Sequence, residues 1–408
     1  MARRGGPDVV GSMAVTAGRH SLVSIAPQAV TRGSRHHFFG YYDKSPWDAS
    51  GRWLLGLESD FMGRPPTKDD PLTIGLIDTA NDFAWRPLAE TYAWNWQQGC
   101  MVQWVDGGRS NQIVFNDRRD GRFVSRLVDI AGGPERVIDR PVYAVNRTGS
   151  HAVSLNFSRL ADQRPGYGYA GVPDPWQAEF APEDDGLHVI DLATGASRLI
   201  LSLAAAAAWR PRADFAGVVH RFNHLQFAPG GRRFACLHRW KKPEEEVGTT
   251  RLLTLDVEGR DLRCLADDDV VSHYDWRDDR GLLAWARQRP GGDHYFLFDE
   301  TGAPARIIGE NVLTCDGHCS FSPDRRWVLT DTYPDATDHR TLLLYRWATG
   351  ERIDIGRFHA PPMVWETRCD LHPRWSPDGR KICLDSVHEG SRRMYVLDVG
   401  EIVTRADA

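Results

Sequence analysis

A short motif, a histidine followed three positions later by an aromatic residue and then by a turn, occurs four times in the second half of the chain. The four copies begin at His224, His273, His318 and His372, and each ends in Phe or Trp. The turns that follow are rich in Gly, Asp and Pro, which preset or tolerate turn dihedral angles. A histidine at the same place in four successive repeats predicts four imidazoles at equivalent positions of one repeated fold.

The motif belongs to a longer pattern that occurs seven times. In each copy a strand-like segment precedes the turn and two apolar segments follow it, the second usually ending near an Asp. The seven turns lie at 48–51, 106–109, 146–149, 228–231, 277–280, 322–325 and 376–379. Repeats of four short strands, spaced by roughly 40 to 60 residues, predict an all-β fold, a seven-bladed β-propeller of four-stranded antiparallel blades. The alternative, two packed β-sandwiches, does not repeat one four-strand pattern seven times.

The repeats also predict the domain boundaries. We expect a single propeller domain over residues 31–403, preceded by a partly disordered N-terminal extension over residues 1–30. One step between repeats is much longer than the others and contains an insertion over residues 159–185, followed by an Ala-rich helix candidate over residues 203–209. The insertion follows a strand that runs toward one mouth of the channel, so we expect it to cover that mouth as a lid or a wall.

Composition excludes two classes of function. The formal net charge of −5 argues against broad nucleic-acid binding, which needs a basic face. No apolar run approaches the roughly 20 residues that span a bilayer, so no membrane association is expected. The seven cysteines are scattered, and no apolar signal segment follows the N-terminus, which together favour a reducing, cytoplasmic location.

The inner strand of each propeller blade lines the central channel, so the four histidines should surround one mouth of that channel. Converging imidazoles suit Zn, Mn or a similar divalent metal. Cys369, Asp370 and Asp316 lie close in sequence to these histidines and are candidates to complete a ligand shell. The alternative is that the histidines stack on neighbouring aromatic rings and bond to loop carbonyl groups.

Basic and aromatic residues are also concentrated at this mouth. Those in blades four and five are His220, Arg221, His224, His238, Arg239, Tyr274 and Arg287. Positive groups there favour an anionic ligand, and aromatic faces suit sugar rings. The alternative is a solvated blade edge at which the arginines pair with the many Asp residues.

Two earlier segments and one later position are expected to line the same channel. The first segment, 36–44, contains His37 and Tyr42, and the second, 94–98, contains Trp96 and Gln97. Asn156 ends the second strand of blade three, which runs to the same mouth. With Arg221, these residues form the predicted substrate-binding set; aromatic packing between blades is the alternative for the Trp and Tyr side chains.

These residues resemble a known group of enzymes. The segment from His224 through His238 to His273, together with the run from Cys369 through His372 to Gly379, is similar to the oligogalacturonate lyases and the ulvan lyases. Both are seven-bladed propeller polysaccharide lyases. The similarity is best in blades four to seven, and the Ser-Pro-Asp-Gly part is shared with non-catalytic propellers of the TolB type.

The resemblance implies roles for individual residues. In oligogalacturonate lyases, histidines of the last blades and a Gln hold a manganese ion that engages the uronate carboxylate. By position His273 and His372 would be such ligands, joined by His318, while Cys369 and Asp370 stand where the family has a Gln and a further His. In ulvan lyases two histidines, a tyrosine and an arginine act on the sugar. The residues that occur in the same order along this chain are His224, His238, Tyr274 and Arg287.

The implied chemistry is β-elimination. A cation, Arg or His neutralises the uronate carboxylate and stabilises the enolate-like intermediate, a His or Tyr removes the α proton, and an acid protonates the leaving oxygen. The sequence thus predicts a carbon–oxygen lyase that cleaves a uronic-acid-containing oligosaccharide with a divalent metal, Mn or Zn. The alternative is a non-catalytic, TolB-like binding or scaffold propeller.

Overall fold

Seven antiparallel sheets follow one another along the chain and surround a central channel. The structure is a computed structural model that describes residues 19–246 and 248–404. The predicted seven-bladed propeller of four-stranded blades is confirmed. In blades one to five the strands pair in chain order, with the first strand at the channel and the last at the rim; blades six and seven also receive strands from the N-terminal segment.

Two short strands come first in the chain, and blades one to three follow. The two leading strands are β1 (His20–Leu22) and β2 (Gln28–Ala29). Blade one contains β3 (His36–Phe38), β4 (Trp53–Ser59), β5 (Leu72–Asp78) and β6 (Ala84–Thr91). Blade two contains β7 (Gln103–Trp104), β8 (Gln112–Arg119), β9 (Arg122–Asp129) and β10 (Arg136–Ile138). Blade three contains β11 (Ala144–Val145), β12 (His151–Ser154), β13 (Gly186–Asp191) and β14 (Ser197–Ser202).

Blades four to seven carry the four histidines. Blade four contains β15 (Val219–Phe227), β16 (Arg233–Lys241), β17 (Thr249–Asp256) and β18 (Arg263–Ala266). Blade five contains β19 (Val271–Trp276), β20 (Gly281–Gln288), β21 (Gly292–Asp299) and β22 (Arg306–Ile307). Blade six contains β23 (Ser320–Phe321), β24 (Trp327–Asp331), β25 (His339–Arg346) and β26 (Arg352–His359). Blade seven contains β27 (Arg374–Trp375), β28 (Lys381–Ser386) and β29 (Arg393–Asp398).

The N-terminal strands close the ring. Strand β2 pairs antiparallel with β29 and supplies the fourth strand of blade seven, while β1 runs parallel to β26 as a fifth strand of blade six. The sequence placed residues 20–30 in an extension before the domain, whereas the structure builds them into two blades. Residues 1–18 of that extension lie outside the described residues.

Helices are few and short. The described ones are α1 (Phe157–Gln163), α2 (Leu203–Ala208) and α3 (Gly400–Val403), with 3₁₀ turns at Val105–Gly107, Ala213–Phe215 and Trp365–Thr367. The Ala-rich helix candidate is therefore present as α2. None of the helices in residues 19–246 or 248–404 has the length and apolar character needed to cross a bilayer.

The core lies between the faces of neighbouring blades. Central strands such as β17 and β20 are buried along most of their length because another blade covers each face. This explains why they read as continuous apolar runs rather than as alternating ones. Apart from β15 and β19, the inner strands have only two or three residues, and they line the channel.

Candidate functional site

The inner strands of blades four to seven place their histidines at one end of the channel, which we call the histidine mouth (His224, His273, His318 and His372). The ring centroids of His273 and His318 are 4.2 Å apart, and those of His318 and His372 are 4.4 Å apart. All four rings are buried. Three of the four imidazoles thus form a continuous row.

The fourth histidine is separated from the row by two tyrosines from the segment that follows β3. The ring of Tyr42 lies 5.5 Å from His224, 5.6 Å from His273 and 5.3 Å from His318. Tyr41 lies 5.1 Å from both His224 and His372. The expectation that all four imidazoles meet at one point is therefore corrected, because Tyr41 and Tyr42 fill the axis between them.

Backbone distortions aim the histidines. His224 and His372 have positive φ angles of 47° and 42°, and the pairing of β15 with β16 shifts register around His224. Non-glycine residues in this region are strained, and such strain is found most often at functional sites. Beside His318, a Cβ added to Gly317 would collide with the carbonyl oxygen of Asp331, so glycine is needed for this close approach.

Carboxylates orient two imidazoles of the row. His273 Nδ1 lies 2.9 Å from Asp316, and His318 Nδ1 lies 2.8 Å from Asp331. An ionised carboxylate only accepts hydrogen bonds, so each Nδ1 carries a proton and Nε2 is the ring atom left for another partner. A carboxylate behind the imidazole is the usual outer-shell arrangement of histidine metal ligands.

The buried Nε2 atoms of His318 and His372 have no hydrogen-bond partner. Burial lowers the pKa of His372 well below its ordinary value and also lowers the pKa of His273. Both rings are therefore neutral near pH 7, the form that binds metals.

Asp370 completes a possible ligand group. The candidate ligand atoms of His318, Asp370 and His372 all lie within 4.8 Å of one another. Burial alone would raise the pKa of Asp370, but Arg368 at 2.8 Å and Arg340 at 2.6 Å hold it well below its ordinary value. Two imidazoles whose Nε2 atoms lack a hydrogen-bond partner, together with a carboxylate that two arginines keep ionised, fit a divalent metal such as Mn or Zn.

Cys369 is not part of this group. Its thiol is directed toward the main-chain oxygen of its neighbour at 3.9 Å, and burial raises its pKa to about 11. The candidate ligand atoms that lie within 4.8 Å of one another include Asp370 and not Cys369. Asp370 therefore takes the position in the group that the sequence analysis gave to Cys369.

Beside the row lies a cluster of arginines with few anionic partners. Nε and Nη1 of Arg221 are buried and lack a hydrogen-bond partner. Burial lowers the pKa of Arg221 well below its ordinary value, with repulsion from Arg239 and Arg164 adding to the effect. Burial and Arg164 likewise lower the pKa of Arg239 to about 10. Buried cations without partners are costly, so this cluster favours an anionic ligand.

Tyr167, from the insertion, reaches the same cluster. Arg368 Nη2 donates to its hydroxyl oxygen at 2.8 Å, and the Arg164 guanidinium lies 4.5 Å from its ring centroid. Burial opposes ionisation of this phenol, but the two arginines outweigh it and lower its pKa below the ordinary value. Tyr167 and Arg368 were not predicted as site residues; the glycine- and tyrosine-rich insertion was the only signal for the tyrosine.

His238 does not face the histidine row. Its Nε2 lies 3.0 Å from Nδ1 of His220, and Arg251 Nε donates to its Nδ1 at 3.1 Å. Both ring nitrogens are therefore occupied by protein groups. Burial lowers the pKa of His238 well below its ordinary value, so the ring stays neutral inside this stack.

The other residues predicted to act on the sugar are also separated. Tyr274 is buried, stacks on His224 at 4.2 Å, and donates its hydroxyl to the carbonyl oxygen of His224. Arg287 pairs with Asp293 at 2.7 and 3.0 Å within the β20–β21 hairpin. Within the described residues, the structure does not bring His224, His238, Tyr274 and Arg287 together as one catalytic group.

Most of the predicted substrate-binding residues support the fold. His37 pairs with Glu58 at 3.0 Å, and the Tyr42 hydroxyl donates to the main-chain oxygen of Tyr274 at 2.9 Å. Trp96 is buried, and its indole nitrogen donates to a main-chain oxygen at 2.8 Å. Within this set, Arg221 is the buried guanidinium with two unpartnered donor atoms.

Gln97 supports the segment that carries the metal candidates. Its Nε2 donates to the main-chain oxygens of Arg368 at 2.9 Å and Glu366 at 3.3 Å. Gln97 is thus placed behind the mouth, where it fixes the backbone that leads to Asp370 and His372.

Asn156 caps helix α1 and anchors the insertion. Its side chain accepts from the main-chain N–H of Arg159 and donates to Asp174 at 2.8 Å and Asp185 at 3.0 Å. Arg159 also pairs with Asp174 at 3.0 Å. The two ends of the insertion are therefore tied together by buried polar contacts.

This anchor predicts a pH-dependent stability. Burial raises the pKa of Asp185 to about 6, despite the hydrogen bond from Asn156. Its stabilising contribution is present below the ordinary carboxyl pKa and is lost as the pH rises through about 6. The free energy of unfolding of the wild type, relative to Asp185→Asn, should fall by about 2 kcal/mol between pH 4 and pH 7, as measured by urea denaturation. Parallel pH profiles for the two proteins would contradict this.

A separate cavity of about 560 Å³ lies at the opposite, turn end of the channel. Lys44 reaches it, but the ammonium group is bound to Asp43 at 2.9 Å. Asp43 in turn lies 3.5 Å from His224. We place the candidate site at the histidine mouth because the free imidazole nitrogens and the unpartnered guanidinium are found there.

Two oligogalacturonate lyases superpose over nearly the whole chain. The crystal structure of the Vibrio parahaemolyticus enzyme matches with a TM-score of 0.64 and 13% identity, over 93% of this chain and 94% of that one. An oligogalacturonate lyase in complex with manganese matches with a TM-score of 0.66 and 17% identity, over 94% and 96%. The β-propeller domain of the Trilobed protease from Pyrococcus furiosus matches with a TM-score of 0.51 and 10% identity, over 90% and 95%.

No family model matches the chain, and no curated protein matches it in sequence. At these identities the superpositions show a shared propeller fold. Because a protease propeller shares the frame with the lyases, function has to be argued from the site.

Proposed function

We propose that the protein is a carbon–oxygen lyase that cleaves a uronic-acid-containing oligosaccharide by β-elimination at the histidine mouth. The observation that carries the proposal is the row of three buried imidazoles, two of them with unpartnered Nε2 atoms, beside a cluster of underpaired arginines. This combination suits a metal and an organic anion held side by side. A non-catalytic scaffold propeller has no use for free Nε2 atoms on His318 and His372.

His318, Asp370 and His372, with His273 next to them, would hold the divalent metal. When bound, the metal would supply positive charge that makes the proton α to the uronate carboxylate more acidic. The similar structure that contains manganese supports Mn as the first ion to test. Asp331 and Asp316 keep the lone pairs of His318 and His273 pointing away from their carboxylates.

The arginines would bind the carboxylate itself. Arg221 has two unpartnered donor atoms, and Arg239 donates only a hydrogen bond of 3.2 Å to the main-chain oxygen of Val271 among its described contacts. Guanidinium groups match a carboxylate in geometry and charge, and burial strengthens the pairing. These contacts would fix the sugar so that its α proton faces the insertion.

Tyr167 is the proposed base. Arg368 stabilises its phenolate, which would take the α proton as the electrons of that bond form the new carbon–carbon double bond and the glycosidic carbon–oxygen bond breaks. The same phenol can return the proton to the leaving oxygen, so that the step balances without another reactant. Tyr167 replaces Tyr274, whose hydroxyl is held by a carbonyl oxygen inside the channel.

The test is product formation on a panel of acidic oligosaccharides. Purified protein is incubated with oligogalacturonates, oligoguluronates and oligosaccharides of rhamnose and glucuronate, with Mn or Zn and after chelation. We expect ultraviolet absorbance from an unsaturated uronate with at least one member, and loss of the signal on chelation. No absorbance with any of them, and no metal by elemental analysis, would favour the non-catalytic binding propeller.

A further inference from the structure

An exposed indole stands at the rim of the histidine mouth. Trp365 is 48% exposed and its neighbour Val364 is 56% exposed, whereas Trp94, Trp96 and Trp240 are almost completely buried. Trp365 begins the 3₁₀ turn Trp365–Thr367, in the segment that continues to the metal candidates of blade seven. Single exposed apolar side chains are common on protein surfaces, so only the surroundings of this indole can indicate a site.

The segment that carries this indole is held firmly. Arg368 Nη1 donates to the main-chain oxygen of Trp365 at 2.8 Å, and Arg392 Nη2 donates to that of Thr367 at 2.6 Å. The backbone of the insertion at Gly166 lies against Glu366, where an added Cβ would approach within 3.0 Å. The indole is therefore presented by a preorganised backbone, which reduces the entropy cost of binding a ligand.

The two faces of the indole differ. The guanidinium of Arg368 lies 3.7 Å from the ring centroid and covers one face. Nearly half of the side chain nevertheless remains accessible. A flat, apolar surface of this kind suits the C–H face of a pyranose ring, since aromatic side chains combine a large apolar area with a specific orientation.

The charge around the indole selects the type of sugar. The Arg164 guanidinium lies 5.7 Å from the Trp365 ring, and its buried Nε has no hydrogen-bond partner. A hydroxyl oxygen of a neutral sugar can accept from a guanidinium, but a carboxylate on a neighbouring ring forms the stronger, charge-assisted hydrogen bond.

We infer that Trp365 and Arg164 form a second sugar subsite, which binds the uronate residue next to the one held at the metal candidates. This rests on the proposed function and deepens it: the substrate is an oligosaccharide of at least two residues with an acidic sugar on the rim. The ionic and hydrogen-bonded link from Arg368 to both Asp370 and Tyr167 connects the rim subsite to the proposed reaction centre.

The test compares Trp365→Leu with a matched control. Trp53→Leu also removes a tryptophan that is stacked by an arginine, since the Arg52 guanidinium lies 4.7 Å from the Trp53 ring centroid. Trp53 begins β4 at the turn end of blade one, which is the end opposite the histidine mouth. Binding is measured by calorimetry with trigalacturonate, triguluronate, a rhamnose–glucuronate tetrasaccharide, monomeric galacturonate and cellotriose. The Mn-loaded Tyr167→Phe background slows turnover, and product absorbance is checked after each titration.

We expect at least one acidic oligosaccharide to bind about tenfold more weakly to Trp365→Leu and unchanged to Trp53→Leu, since losing one sugar contact removes on the order of a tenfold factor in affinity. Galacturonate, which occupies the mouth alone, should be unaffected, and cellotriose should bind poorly to every variant. If Trp365→Leu and its parent bound every acidic oligosaccharide equally well, the proposed subsite would be wrong. Product formation by the wild type would in that case still support the proposed function. Absence of both binding and product across the panel would overturn both.

Discussion

Replacing His318 by alanine is expected to remove the bound metal and to slow product formation by at least about a thousandfold, since a Lewis-acidic metal supplies several kcal/mol and about 4 kcal/mol corresponds to that factor. His318 stands in the middle of the row, within 4.4 Å of the ring centroids of both neighbouring histidines. Its Nε2 is free, and its Nδ1 is held by Asp331. Elemental analysis and initial rates at saturating substrate measure the two effects.

The matched control is His339→Ala, which removes a histidine on β25 whose ring contacts Thr337 and His359. It should keep both metal and activity. Asp331→Asn keeps the imidazole of His318 but removes the charge that orients it, and should weaken metal affinity by about 10- to 100-fold. Full metal content and normal rates in His318→Ala, with an unchanged melting temperature, would show that the row does not hold the metal.

The propeller was predictable because its signals are local and repeated. Each turn carries its own Gly, Asp or Pro, and each blade repeats the same sequence of apolar segments. Closure of the ring was not predictable in the same way. Strands β1 and β2 have three and two residues, too few for a hydrophobic period, and their partners lie more than 300 positions away in the sequence.

The candidate site could be predicted only for residues that occupy equivalent positions in successive repeats. Equivalent repeat positions correctly placed His273, His318 and His372 side by side. Repeat register does not specify which side chains fill the channel axis between the blades. The separation of His224 from the other histidines by Tyr41 and Tyr42 could therefore not be predicted from the sequence.

Side-chain direction was the second obstacle. A strand alternates its side chains between two faces, but the positive φ of His224 and the shifted register beside it break that alternation in β15. His238 and Arg287, which the sequence places near one mouth, are held in two separate hydrogen-bonded pairs. Arg368 and Tyr167 meet across 201 positions, and no local pattern encodes that contact.

Tyr167→Phe is expected to lower the rate by about 100- to 10,000-fold, the range that general base catalysis contributes, while the metal content stays unchanged. Phe keeps the ring that packs against Tyr41 at 6.4 Å and under Arg164 at 4.5 Å. Only the hydroxyl contact with Arg368 is lost. The pH profile provides a second readout: the wild-type rate should rise with pH as the phenol ionises, beginning below the ordinary tyrosine pKa because Arg368 and Arg164 lower it.

Tyr274→Phe is the control that separates the two tyrosines. It removes the hydrogen bond to the carbonyl oxygen of His224, which should cost about 1 kcal/mol in the free energy of unfolding and leave the pH profile unchanged. If Tyr167→Phe kept the wild-type rate and profile while Tyr274→Phe became inactive at equal stability, the base would lie inside the channel. Since Tyr274 is buried against His224, a sugar could reach its hydroxyl only if Tyr41 and Tyr42 moved out of the axis. That movement would break the hydrogen bonds between Tyr42 and the backbone of Tyr274, and faster hydrogen exchange of the Tyr274 main-chain N–H would reveal it.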